Sequence, residues 1–246
     1  MNELTGKKAL VTGGSRGIGA ATAIALAERG ADVALTYNSS PDAATKVVKE
    51  IEALGRRAYA LPVDAADASA VADGVAQAAE RLGGLDILVS NAGVGAIGPM
   101  TDFTLEDVDR VLAVNIRGVY AAAQAAAPKL SDGGRLIHLG SCAAGRVTSP
   151  GMTLYAMSKA ALVGLSKGLA REFGGRGITS NVVQPGPIDT DMNPADGPFA
   201  EAQIADLALD RFGTTTEVAA AITYLAGPHA AYLTGTELTI DGGHTA

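Results

Sequence analysis

The chain has 246 residues, of which 48% are hydrophobic and 18% charged, a composition that suits a soluble globular protein with a substantial core. Its formal net charge of −7 argues against nucleic acid and anionic membranes as partners, because both call for a basic surface. Cys142 is the only cysteine, which excludes an intrachain disulfide and a cysteine-based metal site.

His138, His229 and His244 lack ligand spacing, so no metal centre is expected. The opening MNELTGKK has no apolar signal region, and no run of about 18 apolar residues occurs, so the expected location is the cytoplasm. Along the chain, short β-branched or apolar runs alternate with Ala-rich helical patterns. Strands are expected at residues 9–12, 33–37, 57–62, 85–90, 135–139, 178–184 and 237–240. Helices are expected at 17–29, 42–54, 68–82, 104–130, 153–173 and 216–225. Ser40 reads as the cap of the second helix, with Pro41 at its first position. Gly74 and Gly118 interrupt the third and fourth helical patterns. Strands separated by helices of this length form βαβ units. The expected fold is therefore α/β: one doubly wound domain over residues 1–246, with a parallel sheet of about seven strands and helices on both faces. Residues 185–197 are rich in Pro, Asp, Asn and Gly and precede a helical pattern at 199–210. They follow a strand's carboxyl end, where ligands bind in open α/β sheets, so a substrate lid is expected around residues 186–211.

The first strand runs into Gly13-Gly14-Ser15-Arg16-Gly17-Ile18-Gly19 and then into a helix, the context in which glycines cradle a pyrophosphate. Gly13 permits the sharp turn, Gly17 lets backbone approach the anion, and Gly19 lets helix pack on strand, while the helix N–H groups around Ser15 and Ile18 face the phosphate. The spacing departs from that of an NTP-hydrolysing P-loop. At the end of the second strand, where an NAD site places a carboxylate, stands Tyr37, followed by Asn38 and Ser39. No carboxylate there repels a 2′-phosphate. Arg16 is placed to pair with it, and Asn38 and Ser39 offer neutral donors. The expected cofactor is NADP(H).

Tyr155 and Lys159 lie four apart on a helical pattern, so both project to one side. A phenol ordinarily loses its proton near pH 10, and a neighbouring ammonium is expected to lower that value, making Tyr155 an acid/base for a carbonyl or alcohol. Upstream, the strand 135–139 leads to Ser141, whose hydroxyl at a strand's carboxyl end can polarise a carbonyl. Cys142 is the adjacent alternative, with a poorer donor. Asn115 falls mid-helix by pattern, where Asn is a mediocre residue. Ser90-Asn91-Ala92-Gly93 follows the fourth strand, with small residues that let backbone lie against a ligand.

Taken in order from Lys7 to Gly243, these motifs resemble the short-chain dehydrogenase/reductase family, with its Thr-Gly-x3-Gly-x-Gly opening, Asn-Asn-Ala-Gly, Asn-x2-Gly and Tyr-x3-Lys. Ser90 stands in place of the first Asn of the second motif. The resemblance implies that Tyr155 is the catalytic acid/base and that Lys159 also holds the nicotinamide ribose hydroxyls. It implies that Asn115, with Gly118, positions a water in a proton relay to the lysine. It places Asn91, Ala92 and Gly93 against the cofactor, Asp64 near the adenine, and Pro185, Gly186, Ile188 and Thr190 at the nicotinamide carboxamide. The family's serine falls on Cys142 by counting back from Tyr155 and on Ser141 by strand alignment. Ser141 is preferred because loops absorb insertions. A homotetramer is also implied, through the helical stretches 120–127 and 160–170, with Asp241-Gly242-Gly243 at a subunit interface. The general look is that of 3-oxoacyl-acyl-carrier-protein reductases and related ketone reductases. An acidic carrier protein would find few basic residues to steer it, only Lys129 within residues 128–134 and Arg171 nearby. The expected activity is hydride transfer between NADP(H) and a small-molecule ketone or secondary alcohol. The alternatives are an oxoacyl-thioester reductase, an NAD-dependent alcohol or sugar dehydrogenase, and a catalytically silent dinucleotide sensor.

Overall fold

The computed structural model describes residues 3–246. Seven strands form one sheet: β1 (Lys8–Val11), β2 (Asp32–Tyr37), β3 (Ala58–Pro62), β4 (Leu85–Ser90), β5 (Leu130–Leu139), β6 (Thr179–Pro185) and β7 (Glu237–Ile240). All neighbours pair in parallel, in the order β3-β2-β1-β4-β5-β6-β7. The helices are α1 (Gly17–Glu28), α2 (Pro41–Ala53), α3 (Ala68–Leu82), α4 (Leu105–Leu112), α5 (Val119–Ala126), α6 (Thr153–Phe173), α7 (Ala200–Ala205) and α8 (Thr215–Ala226). From β1 the chain builds outward to β3 and then returns to lay β4 on β1's other side. The connections leaving β1 and β4 thus diverge, opening a crevice at the carboxyl ends of the strands.

A sheet covered on both faces needs apolar side chains in both directions, and β1 supplies them in alternation. Ala9 and Val11 join a cluster with Leu26 of α1, Ile51 of α2 and Ile222 of α8. Leu10 joins the opposite cluster, with Val75 and Leu82 of α3 and Ala122 and Ala126 of α5. Helix ends follow local chemistry. Asp67 caps α3 by accepting from the Ser69 and Ala70 N–H groups, and Gly83 stops it in a left-handed conformation. Thr104 with Asp107 and Thr214 with Glu217 form capping boxes for α4 and α8. Ser40 occupies the cap position of α2 but makes no side-chain cap bond, so Pro41 alone sets the entry.

Three segments differ from the sequence expectation. The stretch expected as one helix at 104–130 is α4, a π-helical turn at Ala113–Gly118, and α5. At Gly118 a Cβ would overlap the Ala65 carbonyl oxygen, so only glycine lets this turn approach the loop after β3. Gly74, by contrast, sits inside an unbroken α3, where a Cβ would press on Val63 Cγ2 at 2.7 Å. Strand β5 begins at Leu130 rather than 135, because Leu130 pairs with Leu85 ahead of an irregularity that restores pairing at Arg135 and Ile87. The helical pattern at 199–210 yields only α7. Leu207 turns inward against Phe212 and Ala200, the Leu209 N–H is drawn to the Gly242 carbonyl at 3.1 Å, and Asp210 takes a positive φ of 51°.

Leu88, fully buried in β4 between β1 and β5, packs in the cluster under α3 and α5. Replacing it with Ala should cost about 2–5 kcal/mol, read as a lower urea midpoint.

Candidate active site

The glycine turn is fixed from two sides. The Thr36 hydroxyl accepts the Gly13 N–H at 3.1 Å, and the Gly14 N–H reaches the Thr36 carbonyl at 2.8 Å, tying the turn to β2. From β4, Asn91 Nδ2 donates to the carbonyls of Thr12 and Gly13, both at 2.9 Å, while the Thr12 hydroxyl accepts the N–H groups of Asn91 at 3.0 Å and Ala92 at 3.1 Å. Gly13 has a positive φ of 65°, and at Gly19 a Cβ would overlap the Gly13 oxygen and Asn91 Nδ2. The cradle thus closes only with glycines at these places. Helix α1 then starts with Arg16 in an extended conformation, no side-chain cap bond and no acidic residue in its first turn. Its N-terminal N–H groups are suited to an anion, and the surroundings of Ser15, Gly17 and Ile18 are half-buried. These residues fit a pyrophosphate.

Around the turn, Tyr37 is half-buried at the end of β2, followed by exposed Asn38 and Ser39. Asp32, the carboxylate at the start of that strand, is held by Arg57 at 2.8 Å. Arg16 is exposed, and its Nη1 lies 3.9 Å from Asp191 Oδ2, a solvent-screened contact worth little. Asp64 is exposed and turns back to accept the Ala66 N–H at 2.9 Å. Near it, Thr12, Thr36, Val63, Ala65, Ala92 and Val114 line a narrow cavity. From the far side, the Gly186 N–H reaches the Ile240 carbonyl at 3.1 Å, buried Pro185 and Ile188 carry the chain on, and Thr190 comes beside Gly17. The segments after β1, β4 and β6 therefore meet over one crevice.

Helix α6 brings Tyr155 and Lys159 into the same crevice. Lys159 is 4% exposed and its ammonium donates to the Leu139 carbonyl at 2.9 Å, 5.8 Å from the centre of the Tyr155 ring. Gly93 leaves the room for it, since a Cβ there would stand 3.2 Å from Nζ. Burial lowers the Lys159 pKa to about 8. The Ser141 side chain lies beside the Tyr155 phenol. The sequence reading expected its phenol to ionise more easily, and here the direction is opposite. Burial pushes it above the ordinary tyrosine range, with the Ser141 side chain offsetting part of the rise. Cys142 is half-buried, its thiol pushed up to about 11 by burial and by Asp241, and it lies beside the Ser141 side chain.

Asn115 lies mid-helix, in the π turn between α4 and α5, and is fully buried. Its Oδ1 accepts the Val94 N–H at 2.9 Å, and its Nδ2 donates to the Val94 carbonyl and to Ser158 Oγ, both at 3.0 Å. The side chain thereby clips the loop after β4 to α6. A one-turn widening of this kind is frequent where a helix serves a site. The sequence analysis gives no role to Thr36, Ser158 and Gln184, polar residues buried at strand ends or in α6. Their only signal was a polar residue in a segment otherwise fit for a core. Ser90, the departure from the family motif, has a buried hydroxyl with no partner.

The family described as Enoyl-(Acyl carrier protein) reductase matches residues 13–245. The chain belongs to the short-chain dehydrogenase/reductase family. It is an oxidoreductase of Rossmann type. A short-chain dehydrogenase from Burkholderia cenocepacia, solved in complex with NADP, is 55% identical with a TM-score of 0.98, over 99% of this chain and 100% of that one. The cyclic-di-GMP-binding biofilm dispersal mediator protein of Escherichia coli is 46% identical over 242 residues, 98% of either chain. The 3-oxoacyl-[acyl-carrier-protein] reductase of Staphylococcus aureus is 38% identical over 240 residues, 96% of this chain and 97% of that protein.

A lysine whose folded pKa is about 8 against an ordinary 10.5 binds fewer protons folded than unfolded between those values. Its burial cost, on the order of 3 kcal/mol, is full below pH 8 and disappears as pH rises toward 10.5. Lys159→Met should therefore raise the melting temperature at pH 7 and flatten the rise of stability between pH 8 and 10.5, measured by thermal unfolding across pH.

Proposed function

We propose that the protein is an NADP(H)-dependent carbonyl reductase acting on small-molecule ketones, with secondary-alcohol oxidation as the reverse reaction. The observation that carries this reading is the buried Lys159 ammonium held 5.8 Å from the Tyr155 ring, with the Ser141 side chain beside the phenol, in a crevice floored by the glycine turn. When bound, NADP(H) supplies or accepts the hydride. The turn 13–19 holds the pyrophosphate, while Tyr37 in place of a carboxylate, with Arg16, Asn38 and Ser39, accepts the 2′-phosphate end. Asp64, Asn91, Ala92, Gly93, Pro185, Gly186, Ile188 and Thr190 line the rest of the cofactor's path. Solved neighbours in complex with NADP and NADPH support the cofactor.

Ser141 would orient the carbonyl oxygen and Tyr155 would give it a proton. The raised phenol pKa suits this direction, because the group stays protonated at neutral pH. The Lys159 ammonium stabilises the phenolate left behind, and Asn115 keeps the π turn and α6 in register for proton resupply. The segment 186–211 closes over substrate as a lid, its loop stiffened by paired amides of Asn193 and Gln203. The open face of α5 and α6, with half-exposed Tyr120 and uncovered Gly164 and Gly168, supports a homotetramer. Among the described residues no helix is long and apolar enough to cross a membrane, and the reaction is assigned to the cytoplasm.

The relatives bring a second reading. One is named for binding a nucleotide signal and another for reducing a carrier-bound thioester. Following NADPH oxidation with free ketones, keto esters and acetoacetyl thioesters separates them: turnover of free ketones supports the proposal. Tight NADPH binding without turnover of any carbonyl would leave a sensor. Tyr155→Phe should lower kcat for ketone reduction by about 10²–10⁴-fold with NADPH affinity retained. Arg16→Ala should reduce kcat/KM with NADPH by about 10-fold and leave NADH efficiency unchanged, read from steady-state rates with each cofactor.

A further inference from the structure

Gln184 of β6 is 3% exposed, and both ends of its amide are held. Its Oε1 accepts the Ser141 N–H at 2.7 Å, and its Nε2 donates to Glu237 Oε2 at 3.1 Å. The other oxygen of Glu237 accepts from Lys167 Nζ at 3.2 Å. A backbone N–H only donates and a carboxylate only accepts, so the amide has a single orientation that satisfies both neighbours.

Its place in the sheet explains why a side chain is used. The β5–β6 register ends at Leu139 with Val183, followed by the Gly140 N–H donating to the Val183 carbonyl at 2.8 Å. The residue after Gln184 is Pro185, which has no N–H to extend the ladder. Pairing stops just short of Ser141, and the Gln184 amide oxygen reaches across to take the Ser141 N–H that the ladder leaves free. Gly140 makes the space, since a Cβ there would overlap Gln184 Oε1. With its N–H fastened on this side, Ser141 keeps an extended backbone (φ −165°, ψ 147°) and presents its hydroxyl to Tyr155, where it also accepts the Ala143 N–H at 3.3 Å.

We propose that Gln184 is a positioning residue for the reaction: its buried amide holds the Ser141 backbone so that the Ser141 hydroxyl meets the Tyr155 phenol. The inference rests on the roles given above to Ser141 and Tyr155. It identifies a residue that acts through Ser141, with Glu237 as its outer anchor.

The test compares Gln184→Ala, Ser141→Ala, the double variant and Glu237→Ala in ketone reduction with NADPH. Gln184→Ala should lower kcat by about 10-fold while KM and NADPH affinity stay within about 2-fold. The alkaline limb of kcat should move to higher pH, because the phenol loses the Ser141 neighbour that lowers its pKa, with Cys142 and Lys159, the other titratable groups beside it, unchanged. In the Ser141→Ala background, Gln184→Ala should add less than about 2-fold. Glu237→Ala, at a more exposed residue, should shift kcat and the alkaline limb in the same direction by a smaller amount, and it decides the matter if Gln184→Ala does not fold. An unmoved kcat and alkaline limb in the variant that decides, or full multiplication of the two single losses, overturns the positioning role. Loss of turnover in Ser141→Ala without loss in Gln184→Ala sinks this inference alone. An unaffected Ser141→Ala enzyme instead sinks the assignment of Ser141 on which it rests.

Discussion

The site depends on how the amide of Asn91 joins two strands that the topology drives apart. β1 and β4 are neighbours, yet their outgoing connections diverge, and a crevice between them would be only a gap without a cross-brace. Asn91 supplies the brace by donating to two successive carbonyls at the end of β1, while the Thr12 hydroxyl returns two bonds to β4. Four hydrogen bonds set the glycine turn at a fixed height above the loop after β4. The same loop carries Gly93 past Lys159 and presents Val94 to Asn115. Phosphate cradle and proton-handling residues are in this way parts of one frame.

That frame tolerates groups a folding sequence would otherwise avoid. Lys159 sits almost without water, opposed by one carbonyl and no carboxylate at bonding distance. Tyr155 is likewise held in its protonated form by its surroundings. The buried lysine is the place where the site gives up stability for reactivity. The offset comes from the two apolar layers on either side of the sheet, where β1, β4 and β6 are buried on both faces.

The parts legible in sequence were those fixed by local rules. Period, length and turn residues placed α3, α6, β4 and β7 at their observed bounds, and the glycine turn was readable because its conformation admits little else at Gly13. What escaped was set by contacts distant in sequence. Nothing near Asn115 announces that its partner is Val94, so a helical pattern concealed the π turn. Leu207 and Leu209 fit a helix by spacing but are claimed by Phe212 and Gly242. The direction of the Tyr155 shift was missed for a related reason: the spacing to Lys159 shows a nearby charge, while the extent of burial is known only once the chain is folded.

The π turn has a consequence for how this chain can vary in length. A regular helix advances by about 100° per residue, so the widened turn stores one residue's worth of rotation between α4 and α5. Removing a single residue from Ala113–Gly118 would allow an unbroken helix with better backbone geometry. It would leave the Ala121, Ala122 and Ala126 stripe of α5 facing the sheet but draw Asn115 off Val94 and Ser158. Segment length here is held by the three bonds of one buried amide, against the preference of the helix backbone for the shorter chain.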